Sequence, residues 1–152
     1  MSDHYKNPEL WFRPSPHHTL EMLRYLIDVS ALRATLRLGE RTYRHPRGYF
    51  LGQDVTLRLF DGKDGEEVLR RPIRVVSVVD QPLMMLTGPQ LAVTRLYSAG
   101  WKAAQSDLSY FAERTVEGDE TVTLIEFYFS DAAGRARIKL DHPNLVLAEE
   151  LQ

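Results

Sequence analysis

The residues best equipped for chemistry lie in "ALRATLRLGERTYRHPRGYF", from Ala31 to Phe50. Within it, Arg41, Thr42, Tyr43, Arg44, His45 and Arg47 bring guanidiniums, a hydroxyl and an aromatic ring together over a few residues. Planar guanidinium forks hold phosphate or carboxylate, and an aromatic face stacks on a nucleobase. In an extended segment Arg41, Tyr43 and His45 share one face and Thr42 and Arg44 the other, so not all can enter one cleft. The competing reading is a solvated charged turn, the usual fate of charge runs. Tyr97, Trp101 and Lys102 form a second group: Tyr97 precedes Trp101 by one helical turn, and Lys102 adds a cation. They could stack on a base beside the basic segment, or serve as large core and rim residues. Arg135, Arg137 and Lys139 could extend a backbone-binding stripe or protect a sheet edge.

Other chemistries find less support. His17 and His18 are adjacent in a proline-bounded arm, the wrong spacing for a helical metal pair, and His4, His45 and His142 are scattered. No metal site and no cofactor are expected. The chain has no cysteine, which removes thiol catalysis, thiolate metal sites and a disulfide framework. No glycine-flanked serine or carboxylate pair stands out, and Asp54 reads as a turn or cap hydrogen-bonding group. The net charge of −2 excludes a histone-like polycation. Its distribution is polarised: Arg33, Arg37, Arg41, Arg44 and Arg47 face only Glu40, whereas Glu113, Glu117, Asp119 and Glu120 face only Arg114.

The elements that must position these groups follow from periodicity. At 152 residues the chain fits one domain. Residues 1–17 carry three prolines and little periodicity, so they read as an irregular arm pinned by Trp11 and Phe12, with a single domain over 18–152. A strand is expected from about Arg24 to Val29, then a helix through "ALRATLRLG" capped by Ser30 and stopped at Gly39. "RTYRH" reads as a short strand, followed by a loop punctuated by Pro46, Gly48 and Gly52. "DVTLRLF" alternates as a half-buried strand closed by the turn "DGKDG", and "RPIRVVSVV" is β-branched enough for a central strand. Two helical stretches follow, Pro89 in the first turn of one and Ser106 capping the other, separated at Gly100. "TVTLIEFYF" and "GRARIKL" complete the strands. The expected fold is α+β and mostly β, a barrel-like sheet with about three short covering helices and with Val55, Leu57, Leu59, Val75, Leu124 and Ile125 buried.

In this order the residues resemble the ASCH domain family, small barrels similar to the PUA RNA-binding fold. "LRLGERTYR" resembles the family's "sGxKTxxxR" stretch, and "YFLGQDVTLRLF" its glycine turn into a strand. "YSAGWKAAQSDLSYF" with "VTLIEFYF" is similar to its later helix and closing strand. The resemblance spans roughly Tyr25 to Phe129 and implies a PUA-like β-barrel. Members resembling acetylcytidine amidohydrolases use a lysine, a threonine and a glutamate where this chain has Arg41, Arg44 and Ala99, and Gln53 is inserted in the "GD" pair. Arginine stays charged where lysine can lose its proton, and alanine offers no carboxylate, so that activity is not expected here.

Three functional readings remain. The first is a module that binds RNA or a nucleotide-like anion through Arg41, Thr42, Tyr43, Arg44 and Arg47, aided by Tyr97, Trp101 and Lys102. The second is a hydrolase or nuclease acting on nucleoside or RNA, with arginines stabilising transition-state charge. The third is a protein-interaction or structural domain docking through the Trp11 arm and "NLVLAEELQ". The absence of cysteine, of an apolar signal core in "MSDHYKNPELWFRPSPHH" and of any long apolar run leads to the expectation of a cytoplasmic protein without a membrane partner.

Overall fold

The computed structural model describes residues 8–42 and 48–147. Five strands, β1 (Glu9–Phe12), β2 (Ala34–Leu38), β3 (Asp54–Phe60), β4 (Glu67–Pro82) and β5 (Thr121–Phe129), form one sheet in the order β1-β3-β4-β5-β2. β1 runs parallel to β3, the remaining pairs are antiparallel, and the sheet curls into a half-barrel. Four helices accompany it: α1 (Leu20–Asp28), α2 (Gly88–Val93), α3 (Trp101–Ala112) and α4 (Ala132–Asp141).

β4 causes much of the curl. Its first half pairs with β3, from Glu67 opposite Phe60 to Arg74 opposite Asp54, and its second half runs along β5 to Pro82 opposite Thr121. The register shifts between Val75 and Ser77, and such a bulge bends a strand and increases its twist. β5 lies inside the sheet and is covered on both faces, which its nearly continuous apolar sequence anticipates. Ile125, Phe127 and Phe129 pack with Leu10, Leu57, Leu59 and Ile27. Val122 and Leu124, on the opposite face, pack with Leu36, Leu91, Tyr97 and Leu108. Val55, Leu57, Leu59, Val75, Leu124 and Ile125 are all buried, as the alternation of the strands requires.

Three elements differ from the sequence reading. Residues 20–28 are helical because Thr19 accepts a hydrogen bond from the Met22 amide and Leu23 and Ile27, one helical turn apart, enter the core. The alternation of Tyr25, Ile27 and Val29 with Leu26 and Asp28 yields to this helical face, and Tyr25 is exposed. Ala34–Leu38 is a strand rather than a helix, because pairing with β5 from Ala34 opposite Glu126 to Leu38 opposite Val122 overrides a helical spacing of leucines. Ser30, at φ 58°, is a left-handed turn residue and caps no helix. Finally, "GRARIKL" belongs to helix α4, whose N-cap Asp131 accepts from the Gly134 amide at 2.9 Å. Gly134 permits that helix to approach β5, since a Cβ there would overlap the Phe129 carbonyl.

Smaller differences concern the N-terminal arm and α3. The arm read as irregular contributes β1 to the sheet edge. Ser106 sits inside α3, whose N-cap is Gly100. Among the described residues no helix is long and apolar enough to cross a membrane.

Candidate functional site

A cavity of about 870 Å³ opens between the N-terminal arm, β2 and α3. The arm contributes Trp11, Phe12, Arg13 and His18; β2 contributes Thr35, Arg37 and Leu38; α3 contributes Asp107, Leu108 and Phe111. Arg41, Tyr49 and Tyr97 complete it. This volume lies in the usual range for small-molecule sites, and aromatic walls stand beside several charged groups, Glu9, Arg13, Arg37, Arg41 and Asp107 among them.

Three arginines on this lining lack a carboxylate partner among the described residues. Arg37 reaches into the cavity from β2, donating to Thr35 Oγ1 at 2.5 Å, to the Leu36 carbonyl at 2.8 Å and to the Trp11 carbonyl at 2.5 Å. It lies deep in the protein while keeping one accessible face on the cavity. Burial lowers its pKa, and the positive charges of Arg41 and Arg13 act in the same direction. Arg41 donates through Nε to the Leu38 carbonyl at 3.3 Å. Arg13 stacks its guanidinium 5.5 Å from the Trp11 ring centre, and its buried Nε has no hydrogen-bond partner. Buried donors are nearly always satisfied, and this one is covered in the present geometry, so an acceptor reaches it only if the side chain moves.

Local backbone geometry fixes Arg41. Its amide donates to Thr123 Oγ1 at 2.7 Å, and its carbonyl accepts from the Tyr49 amide at 2.7 Å. Thr123 is fully buried on β5, so the start of the basic segment is tied to the sheet. Gly48 lets the returning chain close on this segment, because a Cβ there would overlap the Thr42 carbonyl. Tyr49 then turns its hydroxyl to the Glu9 carbonyl at 2.6 Å.

The cavity's acidic groups are already compensated. Glu9 accepts from Trp11 Nε1 at 2.8 Å and pairs with Arg58 at 3.2 Å. Asp107 accepts from Ser15 Oγ at 2.7 Å and from the Tyr97 hydroxyl at 3.0 Å, and it lies 2.6 Å from His18 Nδ1. Burial pushes the Asp107 pKa up, but the His18 and Ser15 hydrogen bonds and the His18 charge outweigh this and hold it below the ordinary value. His18 Nε2 faces the Leu96 carbonyl at 2.8 Å, so neither ring nitrogen is open for proton transfer. Tyr97 stays a neutral phenol, its pKa raised by burial and by the neighbouring Asp107 charge.

The structure brings Arg41 and Tyr97 to the same cavity. Thr42 lies beside it, its hydroxyl 3.1 Å from Glu40 Oε1. Tyr43, Arg44, His45 and Arg47 lie outside the described residues. Trp101 packs beside Gly118 and Met84, and Lys102 lies 5.9 Å from the Trp101 ring, neither being part of the cavity lining. Ala99 is exposed in the turn before α3. Arg135 and Arg137 are on α4, directed to the Ser130 and Val29 carbonyls, rather than on a strand face. Sequence reasoning missed Arg13, Arg37 and the His18–Asp107 pair. Arg37 was visible as part of the basic run but was placed at a helix end.

This fold has counterparts among solved structures. The crystal structure of an ASCH domain from Lactobacillus crispatus JV V101 superposes with a TM-score of 0.50 at 16% identity, covering 78% of this chain and 76% of that one. The chain has the ASCH-domain fold. A protein from Enterococcus faecalis V583 described as DUF984 superposes on the same fold with a TM-score of 0.51 at 16% identity, over 82% of this chain and 81% of its own. No protein-family model matches the sequence, and no curated protein matches it. At 16% identity the likeness is one of fold alone.

Proposed function

We propose that this ASCH-fold protein binds RNA or a nucleotide-like anion in the cavity between the arm, β2 and α3. The observation that carries the reading is the convergence of Arg13, Arg37 and Arg41 on one cavity with no carboxylate among the described residues to neutralise them. Most other described arginines behave differently: Arg33, Arg58, Arg70, Arg71, Arg74 and Arg114 each form an ion pair with Asp or Glu, whereas Arg95 and Arg135 do not. Unmatched guanidiniums beside aromatic walls suit a ligand that carries phosphate and a planar base. Trp11, Tyr49, Tyr97 and Phe111 supply those walls.

The test is titration of short single-stranded RNA and the four ribonucleoside monophosphates into the wild type, Arg37→Ala and Arg41→Ala at two salt concentrations. Arg114→Ala serves as the control, because Arg114 pairs with Glu120 away from the cavity. Binding that weakens with salt and in both cavity variants supports the reading. Equal affinities in all four proteins, or no binding of any probe, would overturn it.

A further inference from the structure

We propose that the cavity selects a phosphomonoester over a phosphodiester, so that its ligand is a nucleotide terminus and not an internal phosphate of a strand. The inference rests on the nucleotide-like reading of the cavity and specifies which anion it accepts. Its basis is the charge left over once every described ionisable group on the lining has been paired. Glu9 is matched by Arg58 and Asp107 by His18, while Tyr49 and Tyr97 are phenols. Arg37 meets a hydroxyl, two carbonyls and the Phe12 ring, Arg41 one carbonyl, and Arg13 an aromatic face. Three positive charges therefore remain without a counter-charge.

A phosphomonoester carries roughly −1.5 to −2 charge near neutral pH and three terminal oxygens. A diester carries about −1 and two such oxygens. Three separate guanidinium donors match the first more closely in both charge and acceptor number. Arg13 contributes its guanidinium charge to the lining, while its Nε is covered in this geometry and has no partner. The electrostatic environment agrees, since the Arg37 charge is opposed by both Arg41 and Arg13, a repulsion that a dianion relieves more fully than a monoanion.

The experiment compares wild-type affinity at pH 7.5 for ribonucleoside 5′- and 3′-monophosphates, for the same nucleotides as O-methyl phosphodiesters, for a short RNA without terminal phosphate, and for inorganic phosphate. The methyl esters keep the base and sugar and remove one charge. The monophosphates are expected to bind on the order of tenfold or more tightly than their methyl esters. That preference should shrink in Arg13→Gln, a replacement that removes the guanidinium from the Trp11 face but no ion pair among the described residues. Equal affinity for the monophosphates and their methyl esters would overturn the selectivity while leaving the nucleotide reading intact. Inorganic phosphate binding as tightly as the nucleotides would overturn the nucleotide part of the proposal. No binding of any probe, RNA included, would remove the underlying reading as well.

Discussion

His18 and Asp107 form a closed ion pair on the cavity wall: Nδ1 lies 2.6 Å from Oδ2, and the opposite ring nitrogen lies 2.8 Å from the Leu96 carbonyl. Two acceptors, one at each nitrogen, require both nitrogens to donate, so the ring is an imidazolium. With Ser15 bonded to the same carboxylate and His17 Nε2 2.7 Å from Ser106 Oγ, the pair fastens the arm to α3. It also keeps Asp107 from neutralising the cavity arginines.

This pair sets a pH window for stability. The Asp107 hydrogen bond raises the His18 pKa above 6.5 against the effect of burial, so its contribution is complete below 6.5 and is lost as pH rises through the raised value. The Asp107 pKa is lowered, so its contribution is present above 3.8 and is lost as pH falls through the lowered value. Denaturant midpoints for the wild type should thus decline above neutrality by an amount absent from Asp107→Asn. The variant itself should lose about 3 kcal/mol, the scale of breaking a buried pair. A flat wild-type profile between pH 6 and 9 would contradict the assignment.

Binding should follow the three cavity arginines. Arg37→Ala and Arg41→Ala are each expected to weaken nucleotide binding by about 1.5–3 kcal/mol, the value of a hydrogen bond to a charged group. Lysine at either position should restore only part, because the ammonium keeps the charge without the fork. Arg58 is an unsuitable control despite lying on a separate strand, since it pairs with Glu9 and covers Trp11, both on the cavity lining. Calorimetric titration of each variant checks these magnitudes.

Gly48→Ala should disturb the site from outside it. The added methyl overlaps the Thr42 carbonyl, so the segment carrying Arg41 must move. A stability loss of about 1–3 kcal/mol, typical of overpacking, should accompany weakened binding. Thermal unfolding and titration together test the link, and unchanged values in both would refute it.

A distinct pH signature lies at the start of β4. Hydrogen bonds from Arg70 and Arg58 lower the Glu67 pKa to about 2. Its contribution is present above 4.5 and lost as pH falls through about 2. Carboxyl carbon shifts in an NMR titration should place Glu67 well below the ordinary glutamate value, and Arg70→Ala should raise it.

The sequence discloses the sheet better than the site. β3, β4 and β5 are legible because alternation or β-branching coincides with their final environment, as Val55, Leu57 and Leu59 illustrate. β2 is not, because Leu32 and Leu36 have helical spacing and the decisive partner, β5, is some ninety positions away. Misplacing β2 also hid Arg37, whose access to the cavity depends on the strand at the sheet edge. Arg13 and His18 carried no local signal; only the tertiary placement of the arm against α3 gives them a common wall. Arg41 and Tyr97 were found because the basic run and the turn before α3 both lead to the same opening.

The pairing of β1 with β3 has a kinetic consequence. β3, β4 and the hairpin turn between them are close in the chain, whereas Glu9 must find Thr56, and Ser15 must find Asp107, across long loops. Loop closure delays such contacts, so the arm is expected to dock after the β3–β4 hairpin has formed. Substitutions such as Phe12→Ala should then accelerate unfolding more than they slow refolding. The arm supplies Arg13 and Trp11 to the cavity, so the capacity to bind should arise only in the final phase of refolding, and a bound nucleotide should slow release of the arm. Stopped-flow refolding followed by Trp11 fluorescence in a Trp101→Phe background would show whether arm docking and ligand capture share one rate.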